Sequence, residues 1–367
     1  MNNAYRPLIG TPMEDLETPC LIVDMDQLDH NMSVISEYYS DRETKLRGHS
    51  KNHKTPALAI RQINAGGTVG GVCAAKVSEA EVMVHSGIPS VMVTSEIIGP
   101  SKVNRLCNLA DQAEIIVACE AADNARQLSV AASSRGVSLG VVIELETGLE
   151  RCGVQDTESG VRLAELVNEL PGLSFKGIMS HQMMSEVSSD KEDRILEGKL
   201  LIQPVIDLKD AIESIGIKVD IVSTGETWSY DVAGDIAGVT EVQGGTYLFM
   251  ETAYSYMNDF NFAGMVLTTI ISIPKPGIAI GDAGIRSVGA IKGMPWVYDR
   301  PSAEVINMDI DHCVLQTNEH ELLHIGDQLR LVPGQQDAMV SRWDQIVGIR
   351  NSGVEVVWDV LARGAHS

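Results

Sequence analysis

Five side chains that could do chemistry stand close together near the start of the chain. Residues 47–54, RGHSKNHK, contain three cations and two histidines, namely Arg47, Lys51, Lys54, His49 and His53. Such a segment could be a solvent-exposed basic turn, a site for a metal ion or a nucleic acid, or the surroundings of one reactive lysine. A lysine amine becomes nucleophilic when burial and cationic neighbours lower its pKa, because part of it is then uncharged at neutral pH. The position of the segment in the fold decides between these interpretations.

The net charge of the whole chain limits the partners of this segment. There are 50 acidic and 28 basic residues among 367, which gives a formal net charge of −22. A field of that sign repels nucleic-acid phosphates and anionic membrane surfaces, so we expect no nucleic-acid partner and no membrane partner. The first residues lack the order of a signal peptide, and no apolar run reaches the roughly 20 residues of a membrane helix. The sequence therefore indicates a cytoplasmic protein.

Short apolar segments alternate with helical stretches from residue 44 onward. Eight segments have the length and composition of β-strands: 45–49, 69–74, 90–95, 114–119, 139–146, 174–180, 219–223 and 240–247. The stretches between them have helical periodicity, and the one that starts at Asp123 ends at Gly136, a typical helix stop. Eight successive strand–helix units favour a closed parallel (β/α)8 barrel, the TIM-like fold, over an open doubly wound sheet. No GxGxxG segment follows the first strand, which weakens the dinucleotide-binding alternative.

The pattern of the sequence changes after about residue 258. The segments that follow are short and β-rich, are separated by glycine, proline or aspartate, and have no helical stretch between them. They predict an antiparallel β domain. The run TPCLIVDMD, residues 18–26, has no helix ahead of it and could pair with the same sheet. We therefore expect an α/β protein with a barrel over residues 26–257 and a β domain that combines residues 1–25 with 258–367.

The six cysteines indicate a reduced protein. They are far apart, never in CxxC spacing, and mostly within apolar strand-like runs such as GGVCAA and IIVACE. Only Cys313 has an adjacent histidine, His312, and the other five have none beside them that could activate a catalytic thiol. We therefore expect reduced core residues.

The basic segment follows the first predicted strand, at the end of the barrel where (β/α)8 enzymes have their active sites. This position favours a reactive lysine over a solvent-exposed turn. Glycine and hydroxyl residues cluster at strands seven and eight, in STGETWS and VQGGTY, where backbone N–H groups could hold a phosphate. A lysine that meets a phosphate-anchored cofactor suggests pyridoxal phosphate, whose aldehyde reacts with a lysine amine.

Longer motifs resemble one enzyme family over nearly the whole chain, from Thr18 to Gly364. The segments TPCLIVDMDQLDHNM, RGHSKNHKTPALA, KVSEAEVMVHSGI, ERCGV, EVQGGTYLFM and GDAGIRS closely resemble the D-threonine aldolase and D-serine dehydratase family. Its members are fold-type III pyridoxal phosphate enzymes related to alanine racemase. The resemblance implies the barrel, the β domain and the cofactor. It also implies a homodimer in which the β domain of one subunit faces the barrel mouth of the other.

The resemblance also implies roles for the basic residues. Lys51 would carry the covalent link to the cofactor, with Lys54 as a supporting cation. Arg151, in ERCGV, matches the family arginine that approaches the phenolic oxygen of the cofactor and keeps it ionised. Taken alone, Arg151 could instead form a surface ion pair with Glu146 or Glu150.

Two positions after the sixth strand are implied as catalytic together with Lys51. His181 resembles the alanine racemase histidine whose ring packs against the pyridine, although a lone histidine at the end of an apolar strand is usually a core residue. Gln182 stands where aldolases have a histidine that can take the hydroxyl proton, and an amide cannot act as a general base. The positions that match the phosphate-binding turns are Gly225, Thr227, Gly245 and Thr246.

A further departure concerns the metal ion of the family. In the metal-dependent members an H-x-D or H-x-C pair follows the C-terminal VP segment and binds a divalent ion that polarises the substrate hydroxyl. Here the segment reads VPGQQD, with Gln335 at the histidine position and Asp337 at the carboxylate position. These two residues could hold Mg²⁺ or Mn²⁺ through oxygen, whereas the loss of imidazole argues against Zn²⁺.

The predicted activity is cleavage of a D-configured β-hydroxy-α-amino acid to glycine, or a similar amino acid, and an aldehyde. The same cofactor supports a dehydratase that releases ammonia and a racemase, because the outcome depends on which bond at Cα lies perpendicular to the ring. A non-catalytic pyridoxal phosphate carrier and a metal-dependent barrel hydrolase are alternatives of other classes, and the extra β domain speaks against the carrier. The candidate proton handlers are His53, His181, Tyr254, Tyr256 and Asp337.

Overall fold

The structure is a computed structural model that describes residues 5–182, 190–317 and 322–367. The chain forms two compact units. The β unit contains the described parts of Met1–Val34, Asn52–Thr55 and Thr246–Gly364, and the barrel unit contains those of Ile35–Lys51, Pro56–Gly245 and Ala365–Ser367. The domain limits expected from the sequence, at residues 25/26 and 257/258, stay a prediction.

Strand β1 (Cys20–Asp24) and helix α1 (Met25–Tyr38) precede eight parallel strands that close into a barrel. The barrel strands are β2 (Lys45–His49), β3 (Thr68–Ala74), β4 (Ser90–Val93), β5 (Glu114–Cys119), β6 (Leu139–Glu144), β7 (Leu173–Met179), β8 (Ile221–Ser223) and β9 (Glu241–Val242). The helices among the described residues of this region are α2 (Pro56–Ala65), α3 (Val77–His85), α4 (Pro100–Leu109), α5 (Ala122–Arg135), α6 (Thr157–Glu169), α7 (Lys191–Ser214) and α8 (Tyr230–Ala233). The predicted closed (β/α)8 barrel is confirmed.

Local sequence signals account for the ends of several of these helices. Asp156 precedes α6, and its carboxylate accepts a hydrogen bond from the backbone N–H of Ser159. Asp190 precedes α7 and accepts one from the N–H of Glu192 over 2.8 Å. Helix α5 ends at Gly136 in the left-handed conformation, at φ 70°, as its sequence predicts.

The eighth barrel strand is shorter than the sequence predicts. The expected strand covers residues 240–247, but β9 contains only Glu241 and Val242. Residues Thr246–Leu248 form a 3₁₀ turn instead. Two glycines in the segment QGG weaken a strand because they bring no side chain to pack, which explains the early end.

The interior of the barrel is filled from alternating strand positions. One buried cluster takes side chains from β3 to β7, namely Cys73, Met92, Ile116, Ala118, Val142 and Met179. Below it, Arg47 on β2 forms a bidentate ion pair with Glu241 on β9. The Nη2 and Nε atoms of the arginine lie 2.6 and 2.8 Å from the two carboxylate oxygens. Both side chains are less than one-tenth exposed. Strands β2 and β9 are the first and last of the barrel and pair with each other, so this ion pair lies where the barrel closes.

The β unit is built on a nine-stranded sheet in the order β11-β14-β13-β12-β15-β10-β1-β16-β17. Its strands after β1 are β10 (Gly264–Lys275), β11 (Ile278–Gly281), β12 (Trp296–Val297), β13 (Glu304–Met308), β14 (Cys313–Gln316), β15 (Gln328–Val332), β16 (Gln345–Arg350) and β17 (Gly353–Asp359). Strand β1 pairs antiparallel with β10 and parallel with β16, which confirms that TPCLIVDMD joins the C-terminal sheet. The expectation of no helix in this region is wrong, because the five-residue helix α9 (Gln336–Val340) lies between β15 and β16.

The cysteines agree with a reduced core. All six are free thiols; five are buried, and Cys152 is partly exposed. Within the described residues, no helix has both the length and the apolar composition needed to cross a membrane.

We expect the Arg47→Ala substitution to destabilise the barrel unit. It leaves the buried carboxylate of Glu241 without its partner, so the free energy of unfolding falls by about 3–5 kcal/mol, as measured by chemical denaturation. The control is Arg162→Ala, since Arg162 forms an exposed ion pair with Glu158 and such pairs contribute about 1 kcal/mol or less. Equal effects of the two substitutions would contradict the role assigned to Arg47.

Candidate active site

Lys51 lies directly beyond the C-terminal end of the first barrel strand. Strand β2 ends at His49, and Ser50–Asn52 form a 3₁₀ turn that carries the lysine. The hydroxyl of Ser50 donates to the carbonyl of Cys73 over 2.8 Å, which attaches the turn to the neighbouring strand. Burial raises the pKa of the Cys73 thiol to about 12, and the charges of Arg47 and Lys51 oppose that rise. The Lys51 side chain is half-buried, and its charge acts on Cys73, a member of the interior cluster.

The other charged and ring side chains of the basic segment are buried, so the segment is not a solvent-exposed turn. His49 Nε2 lies 3.2 Å from the hydroxyl of Thr94, beyond the third barrel strand. In the β unit, His53 Nδ1 accepts the backbone N–H of Thr55 over 3.1 Å. The carbonyl of Lys54 accepts the N–H of Ala362 over 3.0 Å. The residues of the segment that surround Lys51 therefore have structural roles.

Arg151 lies in the loop after the fifth barrel strand and pairs with neither Glu146 nor Glu150 through its side chain. Its Nη2 atom lies 3.5 Å from the carboxylate of Glu144, and the guanidinium is about half exposed. The Glu146 carboxylate instead holds the backbone of the loop, since it accepts the N–H groups of Leu149 and Arg151 at 2.6 and 2.9 Å. Burial raises the pKa of Glu146, but the backbone N–H groups outweigh it and the pKa is lowered.

His181 and Gln182 follow the sixth barrel strand in different environments. His181 is half-buried, two residues beyond Met179 of the interior cluster. Gln182 is buried, and its amide Nε2 donates to the hydroxyls of Ser180 and Thr224 at 2.6 and 2.7 Å. Its Oε1 accepts the N–H of Gly225 over 2.8 Å. Gln182 therefore ties the loop after strand six to the loop after strand seven, a role that its position in the sequence does not reveal.

The turn after the seventh barrel strand is shaped by Gly225. Its φ is 80°, and a Cβ atom there would lie 2.7 Å from the Cβ of Ala233. Thr227 is buried and begins the 3₁₀ turn Thr227–Ser229. Gly245 ends the segment QGG of the barrel unit. In the β unit, the carbonyl of Thr246 accepts the side-chain amide of Gln336 over 2.9 Å.

The residues of the barrel unit fit pyridoxal phosphate. Lys51 offers an amine from the turn at the C-terminal end of the first barrel strand. Gly225 leaves bare backbone at a turn where no other side chain fits, which suits the close approach of a phosphate. Arg151 adds a half-exposed cation.

The β unit residues expected to hold a metal ion do not form a good cation site. Gln335 caps the start of α9 in extended conformation, and Asp337 lies in the first turn of that helix. The side-chain amide of Asn52 donates to Asp337 Oδ1, so an N–H group occupies one face of the carboxylate. Among the described residues, the one cluster of three closely spaced ligating side chains is Glu96, Glu120 and Cys152, and it does not include Asp337. The side chains at positions 335 and 337 therefore do not fit a catalytic metal ion.

The segment HELLH, residues 320–324, has the HExxH spacing of zinc hydrolases. HExxH binds zinc when the two histidines lie one turn apart on a helix. His320 and Glu321 lie outside the described residues, and 322–324 are not helical. His324 is exposed, and its backbone N–H donates to Asp327 over 2.8 Å. The described part of the segment therefore lacks the geometry of a zinc hydrolase.

The closed barrel with a lysine beyond its first strand, followed by an antiparallel β unit, defines the alanine racemase-like class of fold. Residues 23–253 match the family model for the alanine racemase N-terminal domain, and residues 263–349 match a serine dehydratase domain. The chain therefore belongs to the alanine racemase N-terminal domain family, with a C-terminal domain of the serine dehydratase type.

Individual relatives extend this match over almost the whole chain. A 3-hydroxy-D-aspartate aldolase of Paracoccus denitrificans (strain Pd 1222) is 35% identical over 97% of this chain and 95% of its own. A D-threonine aldolase of an Arthrobacter species is 30% identical, with the same shares covered. The crystal structure of D-threonine aldolase from Filomicrobium marinum has a TM-score of 0.94 and 31% identity, and the match covers 98% of this chain and 100% of that one. The predicted family resemblance is confirmed.

We expect the native protein to bind Mn²⁺ weakly and to be insensitive to chelators, because Asp337 already accepts the Asn52 amide. Replacing Gln335 by histidine restores the H-x-D pair and should raise the Mn²⁺ affinity by about 10-fold or more. Titration calorimetry of the native protein and of Gln335→His measures this directly, with Gln335→His/Asp337→Ala as the control. Stoichiometric, tight Mn²⁺ binding by the native protein would show that the donor set is sufficient after all.

Proposed function

We propose that this protein is a pyridoxal phosphate-dependent aldehyde-lyase that cleaves a D-configured β-hydroxy-α-amino acid to glycine, or a similar amino acid, and an aldehyde. The observation that carries the proposal is the position of Lys51, in the half-buried turn directly beyond the C-terminal end of the first barrel strand. The relatives over almost the whole chain, which are named 3-hydroxy-D-aspartate aldolase and D-threonine aldolase, support the same reaction. D-threonine and 3-hydroxy-D-aspartate are therefore the first substrates to test.

In such a reaction, the candidate site residues would have different roles. When bound, pyridoxal phosphate supplies an electron sink for the bond that breaks at Cα. The Lys51 amine would hold the cofactor through its aldehyde and could then exchange a proton with the substrate carbon. The Arg151 guanidinium would donate hydrogen bonds to the phenolic oxygen, and the His181 ring would pack against the pyridine. The phosphate would be held by Gly225, Thr227, Gly245 and Thr246.

Two other reactions use the same groups, namely dehydration with release of ammonia and racemisation. They stay open because Gln182, which stands where aldolases have a histidine, supplies no general base. Both ends of its amide form hydrogen bonds that connect two loops. Separation of the products of D-threonine and of 3-hydroxy-D-aspartate distinguishes the outcomes. An aldehyde with glycine indicates the lyase, a keto acid the dehydratase, and the L-enantiomer the racemase.

We expect Lys51→Ala to abolish cofactor attachment. The native protein should show the visible absorbance of a lysine-bound cofactor, and the variant should lack it and lose about 10³-fold or more in kcat, as expected when a covalent catalytic group is removed. Lys218→Ala is the control, because Lys218 is highly exposed and pairs with Asp220. A native protein that stays colourless with added pyridoxal phosphate would contradict the proposal.

A homodimer in the cytoplasm completes the proposal. The dimer is supported by the family resemblance, which places the β domain of one subunit at the barrel mouth of the other. Sedimentation velocity of the purified protein should give the mass of two chains of 39.6 kDa. A monomer that is fully active would show that each chain completes its own site.

A further inference from the structure

Glu144 is a buried carboxyl group at the functional end of the barrel that the proposed reaction has not used. It is the last residue of β6, two positions after Val142 of the interior cluster. Side chains two apart on a strand point to the same face, so Glu144 points into the barrel. Its side chain is 3% exposed. A carboxylate in such a position is costly unless a proton or a cation neutralises it.

Three other ionisable groups surround Glu144 beyond neighbouring strands. Glu96 follows β4, Glu120 follows β5 and Cys152 follows β6, and their ligating atoms lie within 4.8 Å of one another. Within the described part of the chain, Glu144 Oε2 and Glu96 Oε1 are buried and have no hydrogen-bond partner. Glu120, by contrast, accepts the backbone N–H of Gly153.

The charges of this cluster do not balance without a proton. Among the described residues, the Glu144 carboxyl lies next to the Glu96 carboxyl and 3.5 Å from one cation, the Arg151 guanidinium. Burial raises the pKa of Glu144 to about 8, and the neighbouring Glu96 carboxyl acts in the same direction, while Arg151 opposes them. Burial also raises the pKa of the Cys152 thiol to about 11, so it adds no charge at neutral pH. Glu144 therefore keeps its proton at neutral pH, next to the Glu96 carboxyl.

Arg151 depends on Glu144 for the position of its side chain. The backbone of the arginine is fixed by Glu146, but its side chain is 49% exposed and the contact with Glu144 anchors the guanidinium. An exposed arginine otherwise samples many rotamers, so a fixed carboxyl oxygen reduces the entropy lost when the guanidinium meets a ligand.

We propose that Glu144 is a positioning residue that holds Arg151 toward the cofactor, with Glu96 as its neighbouring carboxyl. The inference rests on the proposed function, because it assigns the exposed side of Arg151 to the phenolic oxygen of pyridoxal phosphate. The alternative is that Glu96, Glu120 and Cys152 hold a divalent cation. The buried pair Glu96–Glu144 favours the proton, since a proton satisfies both orphan oxygens at once.

The first test compares Glu144→Gln with the native protein and with Glu158→Gln, a control at an exposed ion pair with Arg162. Glutamine keeps the shape of the side chain but cannot ionise. We expect Glu144→Gln, which mimics the protonated carboxyl, to match the native protein near neutral pH and to lose the change in the visible absorbance of the bound cofactor above about pH 8. We expect Glu144→Ala, which removes the oxygen that contacts Arg151, to bind pyridoxal phosphate about 10-fold more weakly. We also expect kcat of this variant to fall more than KM rises, because the arginine acts on the cofactor and not on the substrate. Unchanged affinity and an unchanged pH profile would overturn the proposal.

A second test needs no cofactor and so separates this proposal from the proposed function. Between the ordinary pKa of 4.5 and about 8, the folded protein keeps the proton of Glu144 whereas the unfolded chain has lost it. The contribution of Glu144 to the free energy of unfolding is therefore fully present at low pH and is lost as the pH rises toward about 8. The unfolding equilibrium constant of the native protein should rise about 10-fold per pH unit in this window relative to Glu144→Gln. A native protein that binds no cofactor would contradict the proposed function. An unfolding equilibrium constant that does not rise with pH in this window would overturn the protonation of Glu144, whatever the outcome with the cofactor.

Two further measurements on the cofactor-free protein complete the design. A double-mutant cycle of Glu144→Ala with Arg151→Met should give a coupling of about threefold or more in the unfolding constant, and no coupling would overturn the anchoring contact. Calorimetry with Mn²⁺ and Zn²⁺, repeated on Glu96→Gln, tests the alternative. Binding that the substitution abolishes would show that a cation, not a proton, neutralises the cluster, and would overturn the proposal.

Discussion

The closure of the barrel between its first and last strands is the interaction on which the site depends. Strand β2 pairs with β9, and the buried ion pair of Arg47 and Glu241 lies across the same seam. Beyond it, the N–H of His49 donates to the carbonyl of Gly244 over 2.9 Å. These contacts fix the end of β2, and therefore the turn that carries Lys51, against the segment that follows the last strand. A reactive lysine needs such fixing because its own side chain has many rotamers.

The opening segment of the sequence illustrates how one basic run can contain different physical roles. Arg47 neutralises a buried carboxylate, His49 contacts a threonine just beyond another strand, and Lys51 lies half-buried in the turn after the first barrel strand. Burial of charge in a low-dielectric interior requires a partner for each group. The strongly acidic chain supplies these partners, and the net charge of −22 leaves the surface negative.

Much of the fold was predictable because local periodicity and chain order determine it. Alternating apolar strands and helices indicate the barrel, and TPCLIVDMD joins the C-terminal sheet as its lack of a preceding helix suggests. The contacts within the site were less predictable. Gln182 and Glu144 look like ordinary strand-end residues, and their roles depend on groups such as Gly225 and Glu96, distant in sequence. Helix α9 was missed because its five residues are too few to show a helical period.

The central claim is that Lys51 carries the cofactor, and chemical labelling tests it most directly. The purified protein is incubated with pyridoxal phosphate, reduced with borohydride to fix the cofactor on its lysine, digested, and analysed by mass spectrometry. The account predicts the phosphopyridoxyl mass on the peptide that contains Lys51, in stoichiometric amount. A label on another lysine, or no label at all, would contradict it.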